Sequence, residues 1–186
     1  MNIANKLTIL RVILIPFFIA VFYFNVLVEN TIDIGDTFQI TYSNLIALII
    51  FLVAAGTDWL DGYLARKHNL ITDFGKFMDP LADKFLTTAA FLIFVELNIM
   101  PSWVLFIVLA REFTVMGIRV LAASNGVVIA AATSGKVKTV LQFITIIALL
   151  AHPYLTIPNL VFIASMALAT VLSGIEYVVK NIDVLK

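Results

Sequence analysis

The chain has 186 residues, 62% of them hydrophobic and 13% charged, and its 12 basic and 12 acidic residues give a formal net charge of zero. This composition, with a mean hydropathy of +1.06, excludes an ordinary soluble domain and predicts one all-α membrane domain over residues 1–186. Cysteine is absent, which excludes disulfides and thiolate chemistry, and no nucleic-acid partner is expected.

The first segment, residues 1–6, resembles the charged start of a signal peptide. However, no small-residue cleavage site follows it, and five further apolar runs come after the first one. We therefore expect residues 1–6 to form a short interfacial helix. The polar positions Asn5, Lys6, Thr8 and Arg11 read, on their own, as a polar lead-in to a membrane span.

Apolar runs predict six transmembrane helices with both termini in the cytoplasm. Each run is close to the roughly 20 residues that a helix needs to cross about 30 Å of hydrocarbon. The predicted spans are residues 8–28, 44–64, 81–97, 102–122, 135–151 and 159–179. With a cytoplasmic amino terminus, the turns at 29–43, 98–101 and 152–158 face outward and contain no lysine or arginine. All 12 basic residues then lie on the cytoplasmic side, as the positive-inside rule requires.

Four aspartates lie from the end of the second apolar run to the start of the third: Asp58, Asp61, Asp79 and Asp83. On helices, Asp58 and Asp61 share one face, and Asp79 and Asp83 share another. Packed carboxylates repel each other unless some are protonated or cations lie among them. Oxygen ligands favour a hard divalent ion, so the spacing predicts a site for Mg²⁺ or Mn²⁺.

A simpler interpretation exists for one of the two pairs. Asp79 precedes Pro80, as an N-cap precedes a proline at the first helical position, and Asp83 would then lie in the first turn. Asp58 and Asp61 fit this interpretation poorly, because they come near the end of an apolar helix, where the helix dipole disfavours anions. Lys84 either neutralises part of the acidic cluster or extends its amine outward.

The spacing Asp58-x-x-Asp61-Gly62-x-x-Ala65-Arg66, eight residues, Gly75-x-x-x-Asp79-x-x-x-Asp83 resembles the complete signature of the CDP-alcohol phosphotransferase family. Enzymes of this family are integral membrane proteins that transfer a phosphatidyl or similar group from a CDP-linked donor to an alcohol and release CMP. The resemblance implies two divalent cations on the four aspartates, with Asp83 also the candidate general base. The start of the chain is similar to bacterial family members in which the Asn and Thr face the nucleotide. The residues so implied in CDP binding are Asn5, Thr8, Asp61, Gly62, Ala65, Arg66 and Gly75.

The fourth span carries Arg111 near mid-depth, where a charge costs at least about 2.5 kcal/mol unless it is paired or hydrated. A structural ion pair with Glu112 or an aspartate is the alternative to a functional role. Arg119 follows two turns later, and Lys136 and Lys138 start the fifth span behind a loop of small residues. If Arg111, Arg119, Lys136 and Lys138 converge, the acceptor carries a phosphate.

Among acceptors used in the family, this basic set favours glycerol 3-phosphate, with inositol phosphate a competitor. We therefore expect transfer from CDP-diacylglycerol to glycerol 3-phosphate by an enzyme of the inner (plasma) membrane, with its site facing the cytoplasm and in contact with membrane lipid. Family members are commonly homodimers, which implies the same here. A divalent-cation transporter is the alternative from another class, because intramembrane acids also line ion pathways.

Overall fold

A computed structural model describes residues 3–33, 39–67, 73–126, 129, 132–153 and 156–182 of the chain. Helices make up nearly all of this part, which confirms the predicted all-α class. Their bounds are α1 Ile3–Ala20, α2 Asn25–Glu29, α3 Tyr42–Lys67, α4 Asp73–Glu96, α5 Ser102–Ser124, α6 Thr133–Ala151 and α7 Thr156–Lys180. A two-stranded antiparallel hairpin, β1 Thr31–Asp33 and β2 Gln39–Thr41, precedes α3.

Each of the six long helices overlaps one of the six predicted spans. Three stretches of the described residues are long and apolar enough to cross a membrane: Lys6–Tyr23, Thr133–Ala151 and Ile157–Lys180. The apolar part of α3, Tyr42–Thr57, is shorter, since the helix continues into the first aspartate pair. A protein with such helices is integral to a membrane, whereas the number of crossings and the side of the termini stay predictions.

The first predicted span is interrupted near its end. Continuous α-helix runs from Ile3 to Ala20, one 3₁₀ turn follows at Val21–Tyr23, and Phe24 is extended before α2 begins. Residues 3–6 belong to the same helix as the span, so a separate interfacial helix is absent over those positions. The turn 29–43, which has no interpretable motif in the sequence, contains the hairpin, and the Tyr42 amide donates to the Asn30 carbonyl.

The fourth helix begins earlier than the sequence predicted. Asp73 is its first residue, so residues 73–78 are helical and only residues 68–72 connect α3 to α4. The interpretation of Asp79 as an N-cap before Pro80 is therefore wrong, because Asp79 lies in the second turn of α4. An X-Pro pair predicts a helix start only when the preceding residues are not already helical.

Large apolar side chains join the helices into one core. Helix α1 packs on α3 and α4, α7 packs on α5 and α6, and α6 also contacts α3 and α4. Phe51 of α3 is fully buried, and its ring centroid lies 5.4 Å from that of Phe143 of α6. Phe106 and Ile157 are more than two-thirds exposed, as expected of side chains that face lipid. Short connections make successive long helices antiparallel, so the ends of α3 and α4 that carry the aspartates lie together.

Candidate functional site

The two aspartate pairs lie on consecutive helices, at the ends that the five-residue connection joins. Asp58 and Asp61 are in the last third of α3, and Asp79 and Asp83 are in the first half of α4. The Asp83 side chain is half-buried; the side chains of the other three lie outside the described residues. No group of three or more acidic or histidine side chains close enough to hold a metal occurs among the described side chains. The four-carboxylate site therefore stays a prediction, placed at one end of the helix bundle.

The residues expected to bind CDP come from α1 and from the two helices that carry the aspartates, α3 and α4. Thr8 of α1 is described and is only 1% exposed. The positions of Asn5, Gly62, Ala65, Arg66 and Gly75 are all helical, and the surroundings of these residues lie outside what the structure describes. Since α1 packs against α3 and α4, Thr8 lies on a face of α1 that neighbouring helices cover.

One buried cation near this end has no role predicted from the sequence. Arg11 of α1 is completely buried, and its Nε donates to the carbonyl oxygen of Ala54, 3.2 Å away. Ala54 lies one helical turn before Asp58 on α3. A buried guanidinium must be hydrogen-bonded to be tolerated, so Arg11 fixes α1 against the part of α3 that leads to the aspartates.

Glu112 of α5 is the centre of a cluster of cations from three helices. Its carboxylate accepts hydrogen bonds from Lys84 of α4 and Lys138 of α6, and the Arg111 Nη1 lies 3.2 Å from its Oε1. The side chains of Lys138 and Arg111 are 5% and 11% exposed, whereas that of Lys84 is 39% exposed. Lys84 follows Asp83 directly, so the cluster continues from the aspartate end of α4.

The cluster has more positive than negative charge. Among the described side chains, three cations, Lys84, Arg111 and Lys138, surround the single carboxylate of Glu112, a formal excess of two positive charges before any contribution from the aspartates is counted. Uncompensated cations in a poorly solvated position are unfavourable and attract anions. The arrangement can therefore bind a phosphate with charge-assisted hydrogen bonds.

The amino end of α6 adds backbone donors beside these cations. Its N-cap position is Ala132, whose side chain makes no capping hydrogen bond. The first turn and the positive end of the dipole of a 19-residue helix favour an anion there. A Cβ built on Gly135, in the first turn, would lie 3.3 Å from Nη2 of Arg111, so the guanidinium reaches this helix end.

The four basic residues predicted to bind the acceptor phosphate occupy three different places. Arg111 and Lys138 meet at Glu112. Arg119 lies two turns further along α5, where its Nε donates to the Tyr177 hydroxyl at 3.1 Å and its guanidinium lies over that ring. Lys136 is exposed in the first turn of α6. Their joint role therefore stays a prediction.

Three residues near this cluster were missed in the sequence as site residues. Lys84 and Glu112 complete the charge cluster. The feature that could have identified them is a charged residue within an otherwise apolar run of the sequence. Gln142 lies one turn after Lys138 on α6 and is 4% exposed, and its Nε2 has no partner within the described part of the chain. A buried donor without a partner is rare in proteins and suits a polar group of a ligand.

One cavity lined by described residues lies at the opposite end of the bundle. Its volume is about 740 Å³, and its lining includes the start of α3, the residues after α4 and the start of α5. The aspartates are at the other ends of α3 and α4. This cavity is therefore separate from the candidate site.

Comparison with known proteins gives consistent matches along most of the chain. A sequence model of the family described as CDP-alcohol phosphatidyltransferase matches residues 1–174. The chain is 42% identical to a Bacillus subtilis protein named CDP-diacylglycerol–glycerol-3-phosphate 3-phosphatidyltransferase, in an alignment covering 100% of this chain and 97% of that protein. An Escherichia coli protein of the same name is 40% identical, with 82% of this chain and 78% of that protein aligned.

Proposed function

Because the chain belongs to the CDP-alcohol phosphatidyltransferase family, we propose that it transfers the phosphatidyl group of CDP-diacylglycerol to glycerol 3-phosphate, giving phosphatidylglycerophosphate and CMP. Membership confirms the family that the aspartate motif indicated. The names of the two bacterial relatives support both substrates. The observation that carries the choice of acceptor is the cluster at Glu112, where three cations share one carboxylate.

A phosphorylated acceptor is the kind of ligand that this cluster needs. Choline, ethanolamine and free inositol have no phosphate and would leave the excess positive charge unpaired. Glycerol 3-phosphate brings a phosphate, which Arg111 and Lys138 would hold through charge-assisted hydrogen bonds where they meet at Glu112. Arg119 and Lys136, which lie elsewhere, complete the proposed set of basic residues for the acceptor phosphate. The uncapped amino end of α6 supports the same assignment.

The donor set of α3 and α4 fits divalent cations. Four carboxylates on the two helix ends joined by residues 68–72 supply oxygen ligands only, which suits two Mg²⁺ or Mn²⁺ ions held by Asp58, Asp61, Asp79 and Asp83. Bound there, the ions would stabilise negative charge on the diphosphate and on the departing CMP.

The protein's own residues account for the remaining chemistry. The hydroxyl oxygen of glycerol 3-phosphate forms a bond to the β-phosphorus of CDP-diacylglycerol, the bond from this phosphorus to CMP breaks, and Asp83 accepts the hydroxyl proton. Seven residues orient the CDP moiety. They are Asn5, Thr8, Asp61, Gly62, Ala65, Arg66 and Gly75. The small side chains at Gly62 and Ala65 let the ligand approach the backbone of α3.

The proposed topology places this chemistry at the cytoplasmic surface of the inner membrane. Residues 1–186 form one domain with six crossings and cytoplasmic termini, supported by the one-sided distribution of lysine and arginine. The acyl chains of the donor enter the site sideways from the inner leaflet. A homodimer, as is common in the family, completes the proposal.

Release of CMP by purified protein in detergent tests the proposal. The reaction contains CDP-diacylglycerol and Mg²⁺ and compares glycerol 3-phosphate with inositol 1-phosphate, inositol, serine and no acceptor. Release that depends on glycerol 3-phosphate is the expected result. Release with another acceptor would overturn the assignment of the acceptor, and folded protein that released no CMP with any of them would lead to an assay of Mg²⁺ uptake into proteoliposomes.

A further inference from the structure

Two glycines of different helices lie against the side chain of Arg111. A Cβ built on Gly174 of α7 would be 3.1 Å from Cγ of Arg111 and 3.8 Å from its Cβ. A Cβ built on Gly135 of α6 would be 3.3 Å from Nη2. The shorter distance at each glycine is below ordinary van der Waals contact, so a methyl group at either position would require Arg111 to shift by a few tenths of an ångström.

Two hydrogen bonds hold the side chain of Arg111 between these two glycines. Its Nε donates to Oγ of Ser173 at 3.2 Å, and its Nη1 donates to Oε1 of Glu112 at 3.2 Å. Ser173 is buried and donates in turn to the carbonyl of Thr170. The guanidinium therefore has a fixed orientation, with Nη2 beside the amino end of α6.

We propose that Gly135 and Gly174 are positioning residues, which form a slot that holds Arg111 where it binds the phosphate of glycerol 3-phosphate. This inference rests on the proposed function. Gly174 excludes a side chain at the base of the arginine, and Gly135 excludes one at its tip. The absence of both side chains lets the guanidinium lie between α6 and α7, with Nη2 beside Gly135 in the first turn of α6.

The slot predicts a specific kinetic effect for Gly135→Ala. The added methyl displaces the tip of Arg111, which weakens a charge-assisted contact that is present both before and during the reaction. Loss of such uniform binding raises KM and leaves kcat nearly unchanged. We expect KM for glycerol 3-phosphate to rise about tenfold, with kcat and KM for CDP-diacylglycerol close to the wild-type values.

Gly174→Ala acts on the base of the same side chain. Its methyl would meet Cγ of Arg111, which is close to the backbone of α5 and cannot move far. We expect at least as large a rise in KM for glycerol 3-phosphate, together with a lower melting temperature as α5 and α7 separate. The tip variant Gly135→Ala keeps the inference testable if Gly174→Ala does not fold.

A matched control is available on the helix of Arg111 itself. Gly117 is in α5, and a Cβ built there meets no heavy atom within 4 Å. Gly117→Ala therefore measures the effect of replacing a helical glycine without touching the slot. Both KM values and kcat should match those of the wild type.

A double variant separates a positioning role from a merely structural one. If Gly135 acts through Arg111, Gly135→Ala should add no further rise in KM for glycerol 3-phosphate once Arg111→Ala is present. Independent effects of the two changes, an unchanged KM in Gly135→Ala, or equal changes in KM for both substrates would overturn the inference.

The outcome also separates this inference from the proposed function. If the wild type uses glycerol 3-phosphate and Gly135→Ala has normal kinetics, only the slot is wrong. If the wild type uses inositol 1-phosphate instead, the proposed acceptor is wrong, and the same variants decide the slot with that substrate. An enzyme that uses only alcohols without a phosphate, or no acceptor, would overturn both.

Discussion

At the residue scale, Glu112 determines where three cations lie. Lys84, Arg111 and Lys138 come from three helices and meet at this one carboxylate. Its side chain is 17% exposed, so water compensates little for the loss of its charge. Glu112 is therefore expected to contribute more to stability than an ion pair on the surface.

Glu112→Gln should lower the melting temperature of the protein in detergent. Removing one partner of a buried ion pair costs about 3 kcal/mol or more, which corresponds to a fall of roughly 6 °C for a chain of this size. Glu176 provides the control, because its pair with Lys180 is exposed and spans one turn of α7. Glu176→Gln should shift the melting temperature by only about 1 °C. Equal shifts in the two variants would show that the cluster is not a stabilising centre.

The aspartates make a separate prediction about activity. Asp58→Asn removes a charge from the proposed metal site, and metal ions supply several kcal/mol of charge stabilisation, so CMP release should fall by about 10²-fold or more. Asp73→Asn is the control, because Asp73 begins α4 but lies outside the spaced motif. It should retain nearly wild-type CMP release. Normal activity in Asp58→Asn would contradict a catalytic role for the first aspartate pair.

At this scale, the intervals between nearby residues could be interpreted from the sequence, but contacts between residues far apart in the chain could not. The aspartate motif is local, with fixed intervals, and it identified the family. The contacts of Lys84 and Lys138 with Glu112 span 28 and 26 residues, and no interval in the sequence encodes them. Glu112 could be interpreted only as a neighbour of Arg111, because its other partners depend on how α4, α5 and α6 pack.

At the scale of the elements, the long helices were predictable and their ends were not. Apolar runs located all six long helices, since a run of this length has few other stable structures in lipid. The start of α4 was wrong because residues 73–78 contain charges and a glycine, and hydropathy alone excludes them from a span. The break at Phe24 was missed because the residues around it are as apolar as the span itself.

Helices α3 and α6 pack against each other in the core through Phe51 and Phe143. Phe51→Ala should reduce the free energy of unfolding by about 3 kcal/mol, because it leaves a cavity opposite Phe143. Phe106 is 71% exposed, and Phe106→Ala should change stability little, since lipid replaces the lost contacts. Melting temperatures of both variants in the same detergent test this. A larger loss for Phe106→Ala would contradict the packing described here.

At the scale of the whole molecule, the basic residues lie on one side of the proposed membrane. The end that carries the aspartates and the Glu112 cluster also carries the lysines and arginines, whereas the hairpin end has none within residues 29–43. At the hairpin end, the Tyr23 hydroxyl donates a hydrogen bond to the carboxylate of Glu96. The sequence predicts this orientation through composition, and packing does not enter the argument.

Cysteine labelling can test the orientation, because the natural chain has no cysteine. Ser102 and Ser124 are both exposed and lie at opposite ends of α5. A membrane-impermeant maleimide added to intact spheroplasts should label Ser102→Cys, and it should label Ser124→Cys only after the membrane is permeabilised. The reverse pattern would invert the proposed topology, and labelling of both from outside would exclude α5 as a crossing.

The slot around Arg111 also constrains the order of biogenesis. Arg111 and Glu112 are adjacent, so α5 brings an acid and a base into the membrane together as it leaves the ribosome. Lys138 of α6 comes later, and Ser173 and Gly174 belong to α7, which is synthesised after both α5 and α6. Until α7 arrives, Arg111 lacks the partner of its Nε and one wall of its slot. The contact proposed between Arg111 and the acceptor phosphate can therefore form only after α7 has been synthesised.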